Sequence, residues 1–367
     1  MALGGHFDKP SIIDKVYVFW VILRLPLALL WHALLIASPF STRQRFKSWK
    51  RTLADRGWRF MLSQVSAAQL RFVMGMQYSL QLYESWSRKR GLTVLVEEIE
   101  GEDAKLMWLN GKKAEKVVYY LHGGGYALPL QDYALAFWIH VQRELKKKHG
   151  IDVGIAILAY TLTPDSPFPT ILRQAVGGFN LLLGQDIRPE NIQFAGDSAG
   201  GNLILQFLSH ALHPLPTVPT ISTGTISGAY LMSPWVSLSG EEGNQVEHDE
   251  SDVISAIVTQ HLGDTVLCDV PNFQRHYVEV LKAPDMWFDG VEKVVKRILI
   301  STGDDECFRD DNIMLNERLQ KKHPDVQFIL QKFGVHIDPM IDAFAGERMD
   351  GVITPKMVDW LAEGFRS

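Results

Sequence analysis

One stretch restricts what this chain can fold into more than any other: Asn191 to Asn202, reading Asn-Ile-Gln-Phe-Ala-Gly-Asp-Ser-Ala-Gly-Gly-Asn. A strand-like apolar run ends at Gly196, Ser198 follows with a glycine two positions to either side, and a helix-like run begins at Leu203. A strand that turns this sharply into a helix brings backbone against backbone, which calls for glycine, and it forces the central residue into strained φ/ψ. The strain lifts the hydroxyl clear of the sheet, as in the Gly-x-Ser-x-Gly turn. Five residues alone are equally compatible with a glycine-rich turn that happens to hold a serine.

The flanking sequence supplies a sheet for that turn. Lys116 to Leu121 is a continuous apolar run of the kind buried on both faces, and Asp152 to Tyr160 is another. Leu92 to Ile99 and Ala104 to Leu109 read as strands joined by the turn Glu100 to Asp103, and further strands are expected at Thr225 to Val236, Arg297 to Thr302 and Val326 to Leu330. A proline-punctuated loop, Thr161 to Pro169, opens a helix at Thr170. This alternation predicts an α/β fold with a mostly parallel central sheet flanked by helices, whose site lies beyond the carboxyl ends of the strands. Two stretches depart from it. Residues 47–90 carry a mostly apolar face at helical spacing, as at Leu70, Val73, Met74 and Leu80 with Gln77 among them, and an insertion at about 240–290 interrupts the alternation. Together they are expected to build a helical lid over a catalytic domain spanning 91–367.

The first 46 residues form a third region. Val16 to Ser38 is the most hydrophobic window, long enough to cross a hydrocarbon core, although Arg24 and Pro26 interrupt it. Basic residues follow at Arg43, Arg45, Lys47, Lys50 and Arg51, whereas a cleaved secretory signal carries its charge ahead of the apolar run. The window is therefore expected to be a membrane anchor, an interfacial helix or a buried lid helix, with membrane association through this segment favoured. If it is an anchor, the positive charges behind it favour a cytosolic catalytic part. A net charge of −5 offers no basic field for nucleic acid. Cys268 and Cys307 are too few for a disulfide framework and lack metal-site spacing, so no metal or organic cofactor is expected.

A serine hydroxyl becomes a nucleophile when a histidine takes its proton and a carboxylate orients that histidine. On a sheet of this kind the order along the chain is serine, acid, histidine, each after a strand. The chain meets it once, with Ser198, an acid among Asp304, Asp305 and Glu306, and His336 just beyond the last strand. His261, His276 and His323 fall in lid-like or helical segments instead. His122-Gly123-Gly124-Gly125 follows a buried strand and lacks the Gly-Lys-Ser/Thr ending of a phosphate loop, so its free N–H groups suit an oxyanion hole. The expected donors are the backbone N–H groups of Gly124, Gly125 and Ala199. His122 suits a structural hydrogen-bonding role, and Asp197, beside the nucleophile, reads as scaffolding.

With these residues in view the chain resembles the hormone-sensitive-lipase branch of the α/β hydrolases. The likeness rests on His122-Gly-Gly-Gly-Tyr126, Tyr160 to Pro169, Gly196-Asp-Ser-Ala-Gly200-Gly-Asn202, Ser233-Pro-Trp235 and Val335-His336-Ile337-Asp338, across about residues 90 to 366. Within that branch it is most similar to fungal steryl acetyl hydrolases and related carboxylesterases. The resemblance implies hydrolysis of a small-molecule carboxylic ester with a small acyl group or a bulky apolar alcohol. The branch usually carries its acid as Asp-x-Leu-x-Asp, and the best overlay is Glu306-Cys-Phe-Arg-Asp310, a departure that puts the acid at Glu306, with Asp305 and Asp304 as alternatives. Acyl transfer or cyclisation by the same triad, and a non-catalytic small-molecule binder on the same fold, are the other readings.

Overall fold

The computed structural model describes residues 11–36, 47–74, 78–111, 113–221, 224–247 and 249–366. Its strands are β1 (Val96–Glu98), β2 (Lys105–Trp108), β3 (Val117–Leu121), β4 (Gly154–Ala159), β5 (Ile192–Asp197), β6 (Gly228–Met232), β7 (Ile298–Gly303) and β8 (Val326–Gln331). They form one sheet in the order β1-β2-β4-β3-β5-β6-β7-β8, in which β1 and β2 are antiparallel to their neighbours and the other pairs are parallel. β3 through β7 are buried almost without interruption, because helices cover both faces. The helices are α1 (Ile12–Ile36), α2 (Trp49–Gln64), α3 (Ala67–Met74), α4 (Ser79–Lys89), α5 (Asp132–His149), α6 (Thr170–Leu183), α7 (Ala199–Leu212), α8 (Ala256–Leu267), α9 (Arg275–Val278), α10 (Arg309–Gln320), α11 (Asp338–Ala345) and α12 (Ile353–Gly364). Side chains of α6 and α7 pack one core against the sheet, and those of α4, α5 and α12 pack the other.

Two expected strands are shorter than their apolar runs. The one beginning at Leu92 is reduced to β1, since the Leu95 N–H donates to Tyr83 Oη at 3.1 Å instead of to a strand. The one at Thr225 to Val236 is reduced to β6, because Ser233 turns to φ 46° ahead of Pro234. The insertion between β6 and β7 folds as α8 and α9 with short turns.

At the N-terminus the apolar window is helical from Ile12 to Ile36, with Pro26 inside it. Val18 and Val21 pack against Leu62, Val65 and Leu70 of the α2–α3 pair and its connection. The outward side chains do the opposite: Phe19, Leu23, Leu27 and Trp31 are 62–68 % exposed. α1 thus hides two valines, lays Leu25 and Leu29 beside Gly57 of α2 and presents the rest of its apolar surface outward. Arg24 lies over the Trp20 ring at 4.3 Å, a cation–π contact that partners its charge. The basic cluster also divides. Arg43 and Arg45 lie outside the described residues, while Lys47 pairs with Asp55 at 2.9 Å, Lys50 donates to the Gly346 carbonyl at 2.8 Å and Arg51 is buried.

Candidate active site

The sharp turn between β5 and α7 holds Ser198 at φ 52°, ψ −119°, a region an L-residue enters only when its surroundings force it. They do so from both sides: the Ser198 N–H donates to the Met232 carbonyl at 2.9 Å, and the Ser198 carbonyl accepts from the Trp235 N–H at 3.0 Å. A Cβ on Gly196 would meet the Gly200 carbonyl at 2.5 Å, and one on Gly200 would run into the Leu121 carbonyl, so no larger residue fits at either place. Ser198 is buried yet lines an apolar pocket, which it shares with His122 to Gly125, His336, Trp235 and Phe308.

The glycine loop after β3 is tied to this turn by Asp197. Its Oδ1 accepts from Tyr120 Oη at 2.5 Å and from the Gly123 N–H at 3.0 Å, in keeping with the scaffold role expected of it. Burial raises the Asp197 carboxyl above its ordinary value, and the two donors pull it back. Gly124 and Gly125 both have positive φ, 109° and 60°. Among the described residues, the N–H groups of Gly124, Gly125 and Ala199 donate to no other protein group. His122 stacks on Tyr160 at 4.2 Å, and its Nδ1 lies 2.7 Å from the Gly123 carbonyl. Burial drops its pKa to about 4, which keeps it neutral and structural. Asn202, one turn into α7, accepts from Tyr126 Oη at 2.7 Å and donates to the Trp235 and Val278 carbonyls at 2.8 Å each, joining the glycine loop, the end of β6 and the insertion.

Of the three candidate acids, Glu306 is the one placed beside the histidine. It is fully buried in the β7–α10 loop, with Oε1 3.7 Å from His336 Nδ1. That separation is an ionic contact and exceeds a hydrogen bond, and such contacts close as charge develops on the ring. Its Oε2 is held by Ser233 Oγ at 2.7 Å and the Gly303 N–H at 2.8 Å. Asp304 and Asp305 are half-buried in the same loop, their own N–H groups bonded to the Gln331 and Gly334 carbonyls. Burial works to lower the His336 pKa, but the Glu306, Asp252 and Asp197 carboxylates outweigh it and raise the value above the ordinary one. His261 lies in α8 and His276 in α9, while His323 Nε2 is 2.8 Å from the Val295 carbonyl.

Three residues that the sequence reading assigned no part stand around this pair. Ser233 donates to Glu306 and accepts the Ile337 N–H at 3.1 Å, so it touches the acid loop and the histidine loop at once. Asp252, from the insertion, accepts the His336 N–H and the Cys307 N–H at 2.8 Å each. Arg51 of α2, buried, donates to Asp55 and to Asp338 at 2.7 Å and also pairs with Asp342, gripping α11 directly behind His336. Sequence offered two hints, the Ser233-Pro-Trp235 motif and the placing of Asp338 two residues after His336; Arg51 stands there in the basic cluster behind the apolar window, and nothing marks Asp252. Among the described residues, no group of three His, Cys, Asp or Glu side chains could hold a metal ion, and both cysteines are free.

Comparison with known proteins bears on the fold and the family. The chain is 33 % identical over 144 residues to the acetyl-hydrolase of Streptomyces hygroscopicus, a match covering 38 % of this chain and 42 % of that one. It is 26 % identical over 243 residues to the steryl acetyl hydrolase mug81 of Schizosaccharomyces pombe, covering 63 % of this chain and 62 % of the other. The chain thus spans less than two thirds of the length of either relative. Among solved structures, an esterase from the bacterial hormone-sensitive lipase family superposes with a TM-score of 0.65 at 19 % identity, covering 87 % of this chain and 99 % of that one. A hormone-sensitive lipase from a metagenome library gives a TM-score of 0.67 at the same identity and coverage, and both likenesses show the α/β-hydrolase fold. The steryl acetyl hydrolase family profile matches residues 103–350, which take in the glycine loop, the strained serine and the loops of Glu306 and His336. Since that match spans more than half of the chain, the protein belongs to the steryl acetyl hydrolase family.

Proposed function

We propose that the protein is a serine hydrolase of carboxylic esters. The observation that carries the reading is the strained Ser198, facing the same pocket as His336, whose Nδ1 is backed by Glu306. His336 Nε2 takes the Ser198 proton as Oγ attacks the ester carbonyl, and Glu306 stabilises the imidazolium that forms. The oxyanion receives the free N–H groups of Gly124, Gly125 and Ala199. Collapse of the intermediate breaks the bond to the alcohol, which leaves with the proton from His336. Water, deprotonated by the same ring, then releases the acid and restores Ser198.

The shape of the site favours a small acyl group on an apolar alcohol. The cavity over Ser198 holds about 90 Å³ and is walled by Trp58, Leu62 and Leu70. Behind those three side chains lies a second, almost wholly apolar cavity of about 380 Å³, bounded by Leu25 and Leu29 of α1 and by Phe344. The outward apolar face of α1 supports membrane association, with α2, α3 and α8 forming the cover of the site. An ester seated at Ser198 would set an apolar alcohol against Trp58, Leu62 and Leu70, and the acetyl esters named for the relatives fit this arrangement.

Two measurements test the reading. The wild type should be labelled by a serine-reactive phosphonate and should hydrolyse p-nitrophenyl acetate faster than long-acyl esters; a protein neither labelled nor active overturns it. Removal of residues 1–42 should move the protein from the membrane fraction to the soluble fraction, and an unchanged partition removes the anchor.

A further inference from the structure

We infer that Asp252 is a positioning residue of the catalytic centre, whose carboxylate ties the loop carrying Glu306 to the loop carrying His336. The inference rests on the reading of His336 as the general base. Asp252 is buried, 2 % exposed. Its Oδ1 accepts the His336 N–H at 2.8 Å and the Val253 N–H at 2.7 Å, while Oδ2 accepts the Cys307 N–H at 2.8 Å. The bonded backbone groups thus include that of the histidine itself and that of the residue next to the acid. Ser233 bridges the same two loops from the end of β6. The direct contact between the two side chains is 3.7 Å, too long for a hydrogen bond, so their alignment depends on these two bridges.

A carboxylate is a costly choice for a bridge in this place. It is removed from water and stands near a second buried carboxylate, an arrangement that opposes ionisation. Burial and Glu306 raise the Asp252 carboxyl to about 6, against the pull of the His336 ring and of the His336 and Cys307 N–H groups. What offsets the cost is a positive charge, and that charge forms on His336 each time it takes the serine proton. The ionisable groups facing His336 are Glu306 from the β7–α10 loop, Asp252 from the insertion and Asp197 from the end of β5. An amide could not replace the carboxylate, because its NH₂ would face one of the N–H groups that Asp252 accepts.

The position of Asp252 links this bridge to the cover of the site. Arg59 of α2 pairs with Asp249, Arg56 donates to the Glu250 carbonyl at 3.0 Å, and Ser251 Oγ donates to the Asp305 carbonyl at 3.0 Å. Directly after Asp252, Val253, Ile254, Val258 and Leu262 line the pocket. One strap therefore walls the substrate cavity and seats both catalytic loops.

The test is Asp252→Asn in the full chain, with Asp311→Asn as control. Asp311 is equally buried and accepts from Gln245 at 2.8 Å, but it faces neither Glu306 nor His336. In Asp252→Asn, kcat on p-nitrophenyl acetate should fall on the order of 10²-fold with KM nearly unchanged, the scale expected for a misplaced catalytic group. The acid limb of kcat/KM should move to lower pH, since a carboxylate that raises the His336 pKa is gone. Asp311→Asn should lose stability and leave the acid limb in place. A folded Asp252→Asn with wild-type kcat, or with an unmoved acid limb, overturns the inference. If Asp252→Asn is recovered unfolded, Asp252→Glu carries the test, since it keeps the charge and displaces the acceptor oxygens: a several-fold loss of kcat at constant KM with the acid limb in place supports the bridge, and an unchanged kcat overturns it. A wild type that is neither labelled by the phosphonate nor active removes the hydrolase reading, and this inference with it. An active wild type beside an unaffected Asp252→Asn removes this inference alone.

Discussion

The two halves of the site are built in different ways. The half around Ser198 centres on one β5–α7 turn, which the end of β6 fixes through Met232 and Trp235 and which Asp197, the residue next to the serine, ties to the glycine loop. The half around His336 is assembled from five distant stretches, with Ser233 at the end of β6, Asp252 in the insertion, Glu306 after β7, Asp338 after β8 and Arg51 in α2. Damage to the first half should therefore appear as lost rate in a folded protein. Damage to the second should mix rate with stability, because its buried charges are also packing.

The sharpest way to break this contrast is Ser198→Ala. It should lower kcat on the order of 10⁶-fold, as loss of a triad serine does elsewhere, with no loss of thermal stability, since a strained hydroxyl and not a packed side chain is removed. A large fall in Tm would place the turn among the packing elements. Next comes Glu306→Gln, for which steady-state kinetics should show about 10⁴ less kcat, the scale for an amide in place of the orienting carboxylate. Asp305→Asn should stay near wild type, and the opposite pattern would move the acid by one residue.

Arg51→Met addresses the other half through stability. It leaves Asp55, Asp338 and Asp342 without the cation they surround, a loss of about 3–5 kcal/mol in denaturant unfolding. The effect carries a pH signature. Burial would raise the Asp338 carboxyl, but Arg51 and Lys47 more than offset it and hold it below its usual value. The stability this lends is present above the unfolded pKa of about 3.9 and is lost as pH falls through the lower folded value, so the gap between wild type and variant should narrow in acid. A smaller effect is expected at Gly124→Ala. With φ at 109° and a Cβ that would meet the Leu128 carbonyl at 2.9 Å, it should displace the proposed oxyanion donor and raise the barrier by about 2.7–4 kcal/mol, read as kcat in a folded protein. Gly125→Ala should cost less, because the Cβ there meets only the flexible end of Leu262 at 2.7 Å.

Much of this was legible in the residues. Ser198, the glycine loop, the buried strands and the order of serine, acid and histidine follow from backbone sterics and apolar periodicity, which act over a few residues and leave a pattern in the sequence. The mostly parallel sheet follows from the same alternation of runs. Which carboxylate meets His336 is a different kind of fact. The motif overlay favours Glu306, but Asp304, Asp305 and Glu306 are neighbours of like chemistry, and it is the path of the β7–α10 loop that turns Glu306 inward, onto Ser233 and the Gly303 N–H. Nothing in the sequence sets Asp252 apart, and Arg51 stands there in a basic cluster, because a charge shows its partner only after chain far away in sequence has been brought to it. The outward face of α1 was decided in the same manner. Its composition allowed burial or exposure, and packing hid Val18 and Val21 while it left Phe19, Leu23, Leu27 and Trp31 outside, since the α2–α3 pair offers a contact for one stripe of the helix and no more.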